Sequence, residues 1–92
     1  MIFDLLRDLE ILISDIAFSG INNIDYSTID KIDKLAKRFE KISMNHIKDI
    51  LDDFSKSIKE YKTNENKKEY IKKVADNIAK IEFYLKNALY YE

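Results

Sequence analysis

The chain has 92 residues, 36% of them charged and 46% hydrophobic, with a formal net charge of −1. That length suits one domain, and a surface balanced between 16 Lys and Arg and 17 Asp and Glu does not draw polyanions over distance. Cysteine is absent, which excludes a disulfide framework and thiolate chemistry.

The N-terminus reads Met-Ile-Phe-Asp-Leu-Leu-Arg-Asp, without the basic region and small-residue cleavage site of a secretory signal. Asp4, Arg7, Asp8, Glu10 and Asp15 interrupt the apolar run, so it cannot span a bilayer. The expected location is cytoplasmic. Lys, Ile, Asn, Asp and Tyr are frequent while Arg and Ala are scarce, a bias typical of AT-rich coding and hence of a low-GC bacterium, an archaeon or a phage.

No Pro and a single Gly leave few helix breakers. The first helix is predicted over about 2–19, with a core stripe of Ile2, Leu5, Leu6, Leu9, Leu12, Ile13 and Ile16. Gly20 serves as its left-handed cap. Ile21, Ile24 and Tyr26 in the connection are expected to fold back over one end of the molecule. The second helix, about 27–42, carries Ile29, Ile32, Leu35, Ala36, Phe39 and Ile42. Asp25 can cap it with Ile24 and Ile29 as a hydrophobic staple, or Ser27 can cap it with Asp30 at N3.

Between Ile42 and Ile47 the apolar stripe slips phase. A tight turn at 42–45 explains the slip, with Ser43 or Asn45 as a new N-cap. The competing reading is one long helix with a stutter. The third helix, about 45–62, presents Ile47, Ile50, Leu51, Phe54, Ile58 and Tyr61. Thr63-Asn64-Glu65-Asn66 is a polar break, and Asn66 with Glu69 has capping-box character. The fourth helix, about 66–91, carries Ile71, Val74, Ile78, Ile81, Leu85 and Ala88. Four helices with short connections predict an all-α, up-down antiparallel four-helix bundle in one domain, with the first and fourth helices as neighbours. The chain closes on Ala-Leu-Tyr-Tyr-Glu without a stop signal. Two readings follow: a natural chain extending beyond Glu92, or a last turn held by a partner.

Catalysis finds no support in this pattern. His46 is the sole imidazole, and the residue three before it is Ser43 rather than the Glu of a di-iron helix. No zinc ligand set is present. Asp49, Asp52 and Asp53, like Asp4, Asp8 and Asp15, read as solvated acidic faces. No enzyme activity, catalytic residue, metal or cofactor is therefore expected.

Lys31, Lys34, Lys37, Arg38 and Lys41 form a basic stripe on the second helix. Residues 35–51 resemble a helix-turn-helix unit in the Ala of the first helix, Ile-Ser at the turn and paired apolar positions in the second. Such a unit implies a DNA-binding regulator. Against it, Glu40 replaces the turn Gly, the spacing from Ala36 to Ile47 is one residue long, and Asp49, Asp52 and Asp53 would repel phosphates. A membrane surface asks for a basic polar face, and the first helix offers an acidic one.

Apolar residues off the core stripes remain: Phe3, Ile11 and Phe18 on the first helix, and Phe83, Tyr84, Tyr90 and Tyr91 on the fourth. A second apolar face asks to be covered. These seven residues form the candidate interface, expected as one continuous patch across the first and fourth helices. The expected function is that of a non-enzymatic association module whose partner is protein, as a homodimer or with another helical protein. Nucleic acid and membrane are disfavoured as partners. In size, four-helix pattern and AT-rich coding the chain is also similar to the small cytoplasmic immunity proteins of bacteriocin-producing bacteria. That resemblance implies an immunity or antitoxin-like factor whose target is another protein.

Overall fold

The computed structural model describes residues 2–64 and 67–90. Helical structure covers 92% of the described residues, and no strand occurs among them. The helices are α1 (Ile2–Ser19), α2 (Tyr26–Lys41), α3 (Asn45–Thr63) and α4 (Lys67–Leu85). They pack as a ring in chain order, α4 closing against α1, in an antiparallel bundle of 40 × 25 × 19 Å. The turn at 42–45 is real, so the single long helix is excluded.

Leu5, Leu6, Leu9, Leu12, Ile13 and Ile16 of α1 are buried, as their spacing requires. Ile2, in the first turn of α1, is 42% exposed rather than part of the core. Gly20 ends α1 through its N–H to Ile16 O at 2.8 Å. It is not a left-handed cap: φ is 90° and ψ 152°, so the chain leaves the helix nearly extended. A 3₁₀ turn follows at Ile21–Asn23. Ile24 is buried and Ile21 half-buried over the bundle end, as expected. Tyr26 is instead the exposed first residue of α2, its ring 5.2 Å from Lys62 Nζ. The connection is sewn to α3 by Tyr61 Oη donating to Asn22 Oδ1 and by Lys62 Nζ donating to Ile24 O.

Asp25 caps α2; Ser27 does not. Its carboxylate accepts from Ser27 Oγ at 2.7 Å, Thr28 N at 3.0 Å and Thr28 Oγ1 at 3.1 Å. Those bonds, the Ser27 hydroxyl foremost, lower its pKa from 3.8 to about 2. A carboxyl whose pKa is depressed by folding stabilises the fold above its unfolded value and ceases to do so as pH falls through the folded one. Asp25→Ala should therefore lower Tm at about pH 7, and the gap to the wild type should close as pH falls from about 4 to about 2. Thermal unfolding followed by circular dichroism across that range checks this; a gap unchanged at about pH 2 would contradict it.

At the other end of α2 the chain reverses without Gly. Ser43 takes φ 64°, its N–H reaches Glu40 O at 3.0 Å, and Met44 N–H reaches Phe39 O at 2.9 Å. This is a Schellman closure, and Met44 and Phe39 supply the apolar contact that usually accompanies it. Neither Ser43 nor Asn45 caps α3: Met44 occupies the N-cap position and makes no side-chain cap bond. Ser43 is committed to ending α2, which removes it from starting α3.

The α2–α3 and α3–α4 pairs approach more closely than α1 does to either neighbour. Ala36, Ser55, Ser57 and Asn77 are small or medium side chains buried at these seams, whereas α1 presents Leu and Ile throughout. Asn77 Nδ2 donates to Ser57 Oγ at 3.2 Å, and Ser57 Oγ donates to Phe54 O at 2.7 Å, which joins α3 to α4. Ile50, Ile71 and Ile78 flank the core half-buried rather than filling it. α4 does not run on as an α-helix; it widens into a π turn at Lys86–Tyr90. The apolar stripe passes from Leu85 to Leu89, and Ala88 is exposed. The expected cap at Asn66 lies outside the described residues.

Candidate interaction surface

The six candidate interface residues that fall among the described ones do not gather in one patch. Phe18, at the end of α1, is 94% exposed, and Phe3 in its first turn is 62% exposed. Ile11, 60% exposed, lines the groove between α1 and α2. Phe83, 71% exposed, lies on the other side of the molecule, over a depression shared with His46, Ile50 and Tyr84. Between those two surfaces runs the α1–α4 seam, lined by polar Glu10, Ser14, Glu82 and Lys86 as well as Ile13 and Leu85. Tyr91 lies outside the described residues.

Tyr84 and Tyr90 have partners within the chain. Tyr84 is half-buried, its ring 6.0 Å from that of His46, and burial raises its pKa. His46 itself is an exposed residue in the first turn of α3. Tyr90 Oη donates to Glu10 Oε2 at 2.6 Å and accepts from Arg7 at 3.2 Å, with the Arg7 guanidinium 5.6 Å from the ring centre. The bond to Glu10 holds the proton on the phenol and raises its pKa. The π turn thus clasps α1, and Tyr90 links helices rather than offering a free apolar face.

A groove of about 600 Å³ lies between α1 and α2. Leu12 and Leu35 make its floor and Ile11 its apolar lip. Asp8 and Asp15 stand on the α1 wall, and Lys31, Lys34, Lys37, Arg38 and Lys41 on the α2 wall. Charged side chains facing one another cannot pack dry, so these helices remain apart. The groove is bridged weakly: Arg38 and Asp8 approach to 3.9 Å with both side chains more than half exposed. Lys34 pairs along its own helix with Asp30 at 3.3 Å. Both walls are visible in the sequence as an acidic face and a basic stripe, but their opposition across a groove requires the fold.

The α2–α3 unit lacks the shape of a helix-turn-helix. Glu40 reaches Lys48 at 3.7 Å near the turn, and Asp33 reaches Lys59 at 3.7 Å further along, the pattern of two antiparallel helices. Helix-turn-helix units cross at about 90–120°. Lys48 is held by Asp52 at 2.8 Å, with Glu40 and Asp49 nearby, and the Asp52 hydrogen bond is the main cause of its raised pKa. Among the described residues no group of three His, Cys, Asp or Glu converges to hold a metal ion, and no helix is long and apolar enough to cross a membrane. Compared with known proteins, the chain matches no family model, no curated protein and no solved structure.

Proposed function

We propose that this chain is a non-enzymatic helical module that works by protein–protein association, with a second copy of itself as the default partner. The observation that supports this reading is the exposed side of α1. There Ile11 faces solvent on the lip of an apolar-floored groove, and Phe18, seven residues on and so on the same side of the helix, is 94% exposed. Scattered surface apolars are common, but large ones next to a concavity favour a covered face. Two-fold pairing is the simplest cover, because one surface present on both copies can complement itself.

Light scattering on a concentration series tests it. The wild type should associate, and Ile11→Glu with Phe18→Glu should yield a folded monomer, because neither side chain belongs to the core. A wild type that stays monomeric at high concentration would refute self-association.

A further inference from the structure

We propose that two copies pair through their α1–α2 faces about a two-fold axis parallel to the helices, so that α1 of each lies against α2 of the other. This rests on the self-association reading and specifies its geometry.

The argument begins with charge. Across the groove the α1 wall is acidic through Asp8 and Asp15, and the α2 wall is basic through Lys31, Lys34, Lys37, Arg38 and Lys41. Among the described residues Lys31, Lys37 and Lys41 make no ion pair. The face is therefore split lengthwise into a negative and a positive half. How a second copy can cover such a face depends on the symmetry axis. An axis perpendicular to the helices sets α1 against α1 and α2 against α2, placing like charges together. An axis parallel to them sets α1 against the partner's α2, twice, placing unlike charges together. Like-charge juxtaposition costs several kcal/mol, which selects the parallel axis.

Residue heights agree with this choice. Asp8 is level with Arg38 within one chain, as their 3.9 Å approach shows. A rotation about an axis parallel to the helices preserves height. Asp8 of one copy thus comes level with Arg38 of its mate, and Asp15, on the same groove wall two turns further along, comes level with Lys31. Ile11 lies between the two carboxylates and meets the methylene stems of the mate's lysines, which can cover apolar surface while their ammonium groups stay wet. The molecule measures 40 × 25 × 19 Å, and even its narrower long side comes close to the roughly 800 Å² per partner of a standard interface.

Charge exchange tests the geometry. One variant carries Lys31→Glu and Arg38→Glu; the other carries Asp8→Lys and Asp15→Lys. Each alone should dissociate, its dimer weakened by about a hundredfold. Mixed, the two should form a 1:1 heterodimer, because each α1 then faces an oppositely charged α2. The four substitutions in one chain should restore the homodimer. Analytical ultracentrifugation reads association, and circular dichroism verifies that each exposed substitution leaves the helices intact. If the wild type dimerises but neither variant weakens it, the parallel-axis seam is wrong while self-association stands. The seam is equally wrong if both variants dissociate and their mixture stays monomeric. A monomeric wild type overturns both the seam and the reading beneath it.

Discussion

Phe54→Ala should lower the unfolding free energy by about 3–5 kcal/mol, the range for emptying a fully buried aromatic position. Phe54 is completely buried at the centre of α3, the helix packed closely on both neighbours. Its carbonyl also accepts the Ser57 hydroxyl that carries the bond from Asn77, so a cavity there loosens the polar tie between α3 and α4 as well. At roughly 0.05–0.15 kcal/mol per residue the whole fold holds about 5–14 kcal/mol, so the loss removes from about a fifth to nearly all of it. Phe18→Ala is the matched control, since its ring is 94% exposed; its change should stay within about 0.5 kcal/mol. Urea unfolding curves decide between these values. Equal losses in the two variants would mean that Phe54 and Phe18 do not differ in burial as described.

Gly20→Ala should cost about 1–3 kcal/mol, for a reason unrelated to space. A Cβ at Gly20 would meet Asn23 Nδ2 at 3.9 Å, an ordinary contact. The cost arises from φ 90° with ψ 152°, a region essentially reserved for Gly. Ser43 presents the inverse case. It holds φ 64° with a side chain attached, so Ser43→Gly should raise stability by about 1 kcal/mol. Two substitutions at two positive-φ positions thus have opposite signs, and chemical denaturation of both variants measures them. A stabilised Gly20→Ala would show that the chain leaves α1 by another route.

The helices, their number and the tight turn at 42–45 were legible because apolar spacing survives almost any detail of packing. The cap of α2 was legible only as a choice between Asp25 and Ser27; the helix begins at Tyr26, which leaves Asp25 at the cap and puts Ser27 inside the first turn. Ser43 misled because a short polar residue suits an N-cap and a left-handed exit equally, and the demand at the end of α2 prevailed. Ile2 and Ala88 misled because periodicity assumes a neighbour at every turn. Ile2 in the first turn of α1 is left 42% exposed, and the π turn changes the phase beyond Leu85. The interface residues were legible as exposed, but not as arranged. Phe83 and Ile11 lie nearly opposite their own core stripes, which says nothing about the side of the bundle toward which each leans. The opposition of acidic α1 to basic α2 follows from the ring order and the antiparallel register, neither of which a single stripe encodes.

Closing the ring with the first helix and the final turn also sets the order in which the chain can gather itself. The α2–α3 and α3–α4 pairings join sequence neighbours and ask for short loops. The clasp of Tyr90 on Arg7 and Glu10 joins residues 83 and 80 positions apart. Closing a longer loop costs more chain entropy, so the local hairpins can assemble before the clasp does. During synthesis α1 leaves the ribosome well before the turn that secures it. Until then Ile13, which lies beside Leu85 in the finished seam, has no partner on that side. α1 is thus made before the hairpins it packs on and enclosed after them.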